Sequence, residues 1–185
     1  MQTAERELVL QNLAASRARL LAAVDGLSAE QRSFRAADDR WSVADCVEHI
    51  TVVENFVLGS IQRALAGAAE PAKQAEVQGK DRVILELVPS RARRVKGPEA
   101  VMPRERWPDF AELILQFEAI RARTQQFSAE TQADLRNHFF PHPILGEFDC
   151  YQWLLFLGAH CERHVRQLEE VKGDPAFPKS LAAGG

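Results

Sequence analysis

Long apolar runs, a basic excess, paired cysteines and the glycine signatures of nucleotide binding are all missing from this sequence. No segment holds enough consecutive apolar residues to span a bilayer, and the stretch from Met1 to Leu27 carries charges throughout, unlike a signal peptide. The 23 Lys and Arg against 26 Asp and Glu give a net charge of -3, so no global basic field points to nucleic acid or an anionic membrane. Cys46, Cys150 and Cys161 are an odd number without regular spacing; structural disulfides are not expected, and a reducing, cytoplasmic setting fits. Glycine-rich phosphate loops and a Gly-x-Ser-x-Gly elbow are absent, which removes the common nucleotide-binding and serine-hydrolase readings.

What is present is helical periodicity. At 185 residues, 46% hydrophobic and 26% charged, the chain has the composition of one folded domain. A first helix is expected from about Ala4 to Asp25, with Thr3 as its cap and Gly26 as its stop; Ser28 and Gln31 in "LSAEQ" then form a capping signature. A second begins at Ser42, with Asp45 in its first turn, and places Cys46, His49, Val53, Phe56, Val57, Ile61 and Ala64 on one face. The proline-containing stretch from Ala68 to Arg106 reads as a long connection, pinned down by the apolar "RVILELV", either extended or a short helix.

A third helix is expected from about Pro108 to Gln126, followed by "FSAET" as a turn like "LSAEQ". After a loop, "HFFPHPILGEF", Asp149 and Gln152 form a cap-and-return pair, and a fourth helix runs to Lys172 before Gly173. The expected architecture is all-α, a four-helix bundle over residues 1–173 running up, down, down, up, with a C-terminal tail over 174–185. That order follows from taking helices one and two as antiparallel neighbours, with the long crossover between helices two and three.

This arrangement brings three histidines of the apolar stripes to one level: His49 near the start of helix two, and His160 and His164 toward the end of helix four. A single histidine on such a stripe is more often a hydrogen-bonded core residue than a ligand. Three converging imidazoles depress one another's protonation and leave lone pairs facing each other, which a divalent cation resolves. The i, i+4 pair plus a third histidine from a facing helix makes a set that leaves coordination positions open. Zinc, nickel, iron and cobalt all suit imidazole. The metalloprotease H-E-x-x-H is not matched, because Cys161 follows His160 and Glu162 lies about 200° around the helix.

The "WSVADCVEHI" opening of helix two, the stretch "HPILGEFDCYQWLLFLGAHCERHVRQL" and the central crossover together resemble the DinB-like family, also called DinB/YfiT-like metalloenzymes, from helix one to Leu168. The resemblance implies a four-helix bundle with a three-histidine metal site, carried by motif position onto His49, His160 and His164. Members similar to this sequence include thiol-dependent S-transferases, among them bacillithiol transferases and mycothiol-dependent maleylpyruvate isomerases. Dimers are common among them, and the family name implies no DNA binding. The expected function is therefore a metal-dependent transferase using a low-molecular-weight thiol, with a homodimer, a small-molecule substrate, and neither nucleic acid nor membrane as partners. The alternative is a non-catalytic bundle that binds a small ligand or a partner subunit.

Several residues stand beside that core set. Cys46 shares the His49 face as a fourth, soft ligand or a redox handle or, more in keeping with its apolar surroundings, as a small buried filler. Gln167, one turn past His164, is placed to orient it, and Trp41 and Trp107 precede helices two and three at the same end as the histidines. His138 and His142 belong to the loop at the opposite end, where they read as packing or capping groups; His138 is the candidate proton-transfer group if that loop folds back. The one dense basic run, Arg91, Arg93, Arg94 and Lys96, reads as a solvated loop.

Overall fold

The structure, a computed structural model, describes residues 1–95 and 97–179; Lys96 of the basic run and residues 180–185 of the tail lie outside the described residues. In chain order the elements are α1 (Thr3–Val24), α2 (Ala29–Ser33), α3 (Val43–Leu65), α4 (Gln74–Val77), α5 (Lys80–Leu87), α6 (Phe110–Glu130), β1 (Phe139–His142), β2 (Gly146–Asp149) and α7 (Cys150–Lys172), with 3-10 turns at Pro71–Lys73 and Glu99–Val101. Among the described residues, no helix is long and apolar enough to cross a membrane.

The local chemistry of the helix starts decides most boundaries. The Ser42 hydroxyl accepts from the Asp45 N–H at 3.1 Å while the Asp45 carboxylate takes the Ser42 N–H at 2.7 Å, and Asp149 and Gln152 make the same reciprocal pair. Two expected starts move. Helix α1 is capped at Gln2, whose N–H donates to Glu5, so Thr3 is already helical. Helix α6 is capped by Asp109, which accepts from the Ala111 N–H at 2.8 Å and leaves Pro108 outside. The "FSAET" segment does not stop α6: the Ser128 hydroxyl donates back to the Thr124 carbonyl at 2.8 Å instead of capping. Ahead of "LSAEQ", Gly26 at φ +67° turns the chain, whereas the residues just before Ser128, "TQQF", include no glycine.

Up, down, down, up holds, but the corners differ from expectation. Helix α1 packs on α7 and α6, and α3 packs on the same two, so α1 and α3 occupy opposite corners and are antiparallel across the diagonal rather than as neighbours. Lys172 reaches the Ala23 carbonyl at 3.1 Å and Gly158 abuts Asn12, making α1 and α7 parallel; Arg6 reaches the Ala129 carbonyl at 2.7 Å while Arg17 pairs with Glu118, making α1 and α6 antiparallel. The long crossover is what permits this, because a chain that returns to the starting end of α3 can place α6 at either free corner.

Within the crossover, "RVILELV" is the helix α5, with Ile84 and Val88 buried against α7. The expected loop before α7 is a hairpin, paired from Phe139↔Asp149 to His142↔Gly146, whose Phe140 stacks on Trp153 at 4.4 Å. Pro141 sits in this two-stranded edge, the place in a sheet where proline is tolerated. Phe56, expected in the buried stripe of α3, is 53% exposed: the crossover covers His49 on that face but not the residue two turns later. In the tail, Phe177 packs edge-on against Phe34 at 5.5 Å and the Pro178 carbonyl accepts from Gln31.

Candidate metal centre

Each of the three stripe histidines is held by its helix on a face turned toward the other helix. His49 on α3 and His160 and His164 on α7 are 4%, 9% and 6% exposed. His160 Nε2 lies 3.3 Å from His49 Nε2 and 3.1 Å from His164 Nε2. The three can each offer a ligand atom within 4.8 Å of the others, and among the described residues they form the one such cluster of His, Cys, Asp or Glu.

The outer ring nitrogens determine what faces inward. His49 Nδ1 is 2.8 Å from the Val101 carbonyl and His164 Nδ1 is 3.0 Å from Gln167 Oε1. The Val101 carbonyl only accepts, and the Gln167 amide turns its oxygen to His164, so in this arrangement both Nδ1 atoms carry the proton and both Nε2 atoms present lone pairs to the cluster. A proton on His160 Nε2 can serve one of them at a time. Burial holds all three rings neutral, pushing His49 down to about 4 and His160 and His164 well below the ordinary histidine value; at His160 and His164 the neighbouring imidazoles add to the effect.

These donors fit a divalent ion. Nitrogen ligands at about 2.0–2.1 Å in tetrahedral geometry stand about 3.3–3.4 Å apart, close to the two spacings found. The set is neutral imidazole from two facing helices, with outer nitrogens fixed by acceptors, as in histidine metal sites generally.

The surroundings are aromatic. Trp41 stacks on His164 at 5.7 Å and tilts over His49 at 4.8 Å, and Phe156 stacks on His160 at 5.0 Å. Trp41 also lines a cleft of about 280 Å³ with Arg35, Asp45, Met102, Pro103, Arg104 and Glu105. Trp107 packs on the core cluster beneath this end and makes no ring contact with the three histidines. Cys46 is fully buried outside the cluster, its thiol pushed far up by burial, which suits a space-filling residue. Cys161 is likewise buried, facing the Ser16 carbonyl.

The hairpin brings one loop histidine closer than expected, and it is not His138. His138 binds the Asp134 and Gly67 carbonyls, whereas His142 packs on Phe156 at 5.1 Å, one ring removed from His160. In the basic run, Arg91 pairs with Glu170 and Arg94 with Asp39. Two participants escape sequence reasoning. The Val101 carbonyl has no sequence signature, but Glu48, a carboxylate inside the apolar "DCVEHI", could have been noticed.

A family model described as the DinB superfamily matches residues 12–168, a span that contains all three histidines. The chain belongs to the DinB superfamily. This DinB protein is 23% identical over 147 residues to YuaE of Bacillus subtilis (strain 168), covering 80% of this chain and 86% of YuaE. Among the solved structures that share its fold are two four-helix bundles. One is TT2238, a four-helix bundle protein, with a TM-score of 0.59, 21% identity, and 89% of this chain and 98% of that one covered. The other is YfiT from Bacillus subtilis, described as a probable metal-dependent hydrolase with an unusual four-helix bundle topology, with a TM-score of 0.56, 15% identity, and 93% and 88% covered.

Proposed function

We propose that His49, His160 and His164 hold a divalent metal ion, zinc, nickel or iron, and that the protein is a metal-dependent transferase acting with a low-molecular-weight thiol. The observation that carries this reading is the convergence of three neutral Nε2 atoms in an apolar interior, with two outer nitrogens already committed. A three-histidine ion keeps positions open and lowers the pKa of a thiol or water that takes one. The chain's own contribution is to hold the donors rigid and to exclude water with Trp41 and Phe156. Of the two nucleophiles, the thiol fits better: the carboxylate beside the site, Glu48, is engaged with the crossover, and a metal-activated thiol needs no separate base. The description of YfiT favours the second reading, activation of water for hydrolysis.

Elemental analysis of untagged protein prepared without chelators, beside a His49→Ala, His160→Ala variant, tests the site: stoichiometric metal in the wild type and none in the variant is expected. Metal-free wild type after reconstitution would leave the non-catalytic bundle. Transfer of a small thiol to an electrophile, against hydrolysis of the same electrophile, then separates the two nucleophiles. A cytoplasmic homodimer belongs to the same proposal, and sedimentation equilibrium checks the dimer.

A further inference from the structure

We infer that Glu48 is a positioning residue for the metal centre: its buried carboxylate anchors residues 98–106 of the crossover and thereby keeps the Val101 carbonyl on His49 Nδ1. The consequence for metal affinity rests on the metal-binding proposal; the consequence for the His49 tautomer does not.

Glu48 neighbours His49 on α3 and is 4% exposed. One of its oxygens, Oε1, accepts the Arg104 backbone N–H at 2.8 Å and the Arg106 guanidinium at 2.6 Å. The same guanidinium donates to the Met102 carbonyl at 2.9 Å and the Ala100 carbonyl at 3.3 Å, so Arg106 gathers the end of the Glu99–Val101 turn onto Glu48. Glu105, between the two anchoring donors, adopts φ +56°, a left-handed conformation that costs a non-glycine residue free energy and persists only where its surroundings impose it. That reversal lets a backbone N–H and a side chain two residues later meet one oxygen. The turn so held presents the Val101 carbonyl to His49 at 2.8 Å.

The chain of contacts is therefore Glu48, Arg104 and Arg106, the turn, the Val101 carbonyl, His49 Nδ1–H, and the inward lone pair on Nε2. Without the carboxylate, nothing polar on α3 ties this segment down at Arg104 and Arg106, and His49 loses the acceptor that fixes its tautomer. The rival account is that the buried Val101 side chain alone, 7% exposed, holds the turn.

The two accounts part in Glu48→Ala, with Arg106→Ala carrying the test from the partly exposed side should the first variant not fold. Long-range proton–nitrogen spectra of metal-free protein should show His49 as a single Nδ1–H tautomer in the wild type and as a mixture in both variants. Zinc affinity, read by competition with a chromophoric chelator, should fall about 10–100-fold in both, the range for outer partners of metal ligands. Glu48→Gln, which keeps an acceptor oxygen, should retain most of the affinity, and Arg94→Ala, breaking the exposed pair with Asp39 on the same crossover, should retain all of it. An unchanged His49 tautomer in Glu48→Ala or Arg106→Ala overturns the inference. Wild type that takes no zinc overturns the metal proposal, and the tautomer spectra alone then decide the role of Glu48.

Discussion

Two of the polar clusters in the interior of this bundle, both rooted on α3, differ in completeness. At Glu54, Arg121 of α6 makes a fork: its Nε is 2.9 and 3.0 Å from the two carboxylate oxygens, one terminal nitrogen is 2.7 Å from Oε2, and the other donates to the Leu13 carbonyl and the Ser16 hydroxyl. Both residues are fully buried, and donors meet acceptors around the cluster. At His49 the count fails: three Nε2 atoms face one another and at most one proton lies among them. A buried cluster that satisfies itself is part of the fold, and one that does not calls for a further partner, a water or an ion.

The largest effect should come from breaking the complete cluster. Glu54→Ala or Arg121→Ala leaves one charge buried and unpaired and should destabilise the protein by about 3–5 kcal/mol in urea unfolding. Replacing both with apolar residues of similar volume should recover most of that loss, because the desolvation of both charges disappears together. If the single variants unfold like wild type, the pair is not the structural element it is taken for.

The incomplete cluster should behave in the opposite way. Zinc at about 100 times its dissociation constant should raise the unfolding free energy of the wild type by about 2.7 kcal/mol and that of His160→Ala not at all. In metal-free protein the same substitution should cost less than Glu54→Ala, since it removes a group whose hydrogen bonding was never complete. Paired urea titrations with and without zinc measure both.

The two clusters were unequally legible in the sequence, for a physical reason. The i, i+4 histidines, the capping pairs at Ser42 with Asp45 and Asp149 with Gln152, and the end of α7 at Lys172 follow from chemistry within a few residues of each other, and all stand in the structure. So does the meeting of His49 with His160, because the crossover length constrains direction. The corner at which each helix sits was not legible, since packing one amphipathic helix on either of two neighbours leaves the same stripe buried. The hairpin hid behind prolines, and the Val101 carbonyl, being backbone, has no residue type to announce it. Arg121 with Glu54 requires knowing that α3 and α6 are adjacent, which the sequence reading did not supply.

A smaller effect sharpens the comparison at the edge of the site. Gln167 completes His164 as Val101 completes His49, and Gln167→Ala should weaken zinc about tenfold or somewhat more, about 1.4 kcal/mol or above, with little change in metal-free stability. A variant that loses stability but not affinity would make Gln167 a packing residue.

His142 supplies the control, a histidine in an apolar setting that is already satisfied. Its Nδ1 accepts the Ile144 and Leu145 N–H groups, both at 3.1 Å, and burial pushes it down to about 4. A histidine depressed in the folded state contributes nothing above its unfolded pKa near 6.5. As pH falls below that value, the unfolded chain takes up a proton that the folded chain refuses, and stability drops until pH reaches about 4. The shift, discounted for the partial exposure of the ring, corresponds to about 1 kcal/mol. His142→Asn keeps an acceptor near the two N–H groups without titrating, so the difference between wild type and variant should grow from pH 6.5 to pH 4 and vanish above it. Unfolding curves across that range, on metal-free protein, decide the point: a difference that is flat with pH would mean that the proton can be accommodated on His142, and that burial alone does not separate a closed histidine from the open ones beside it.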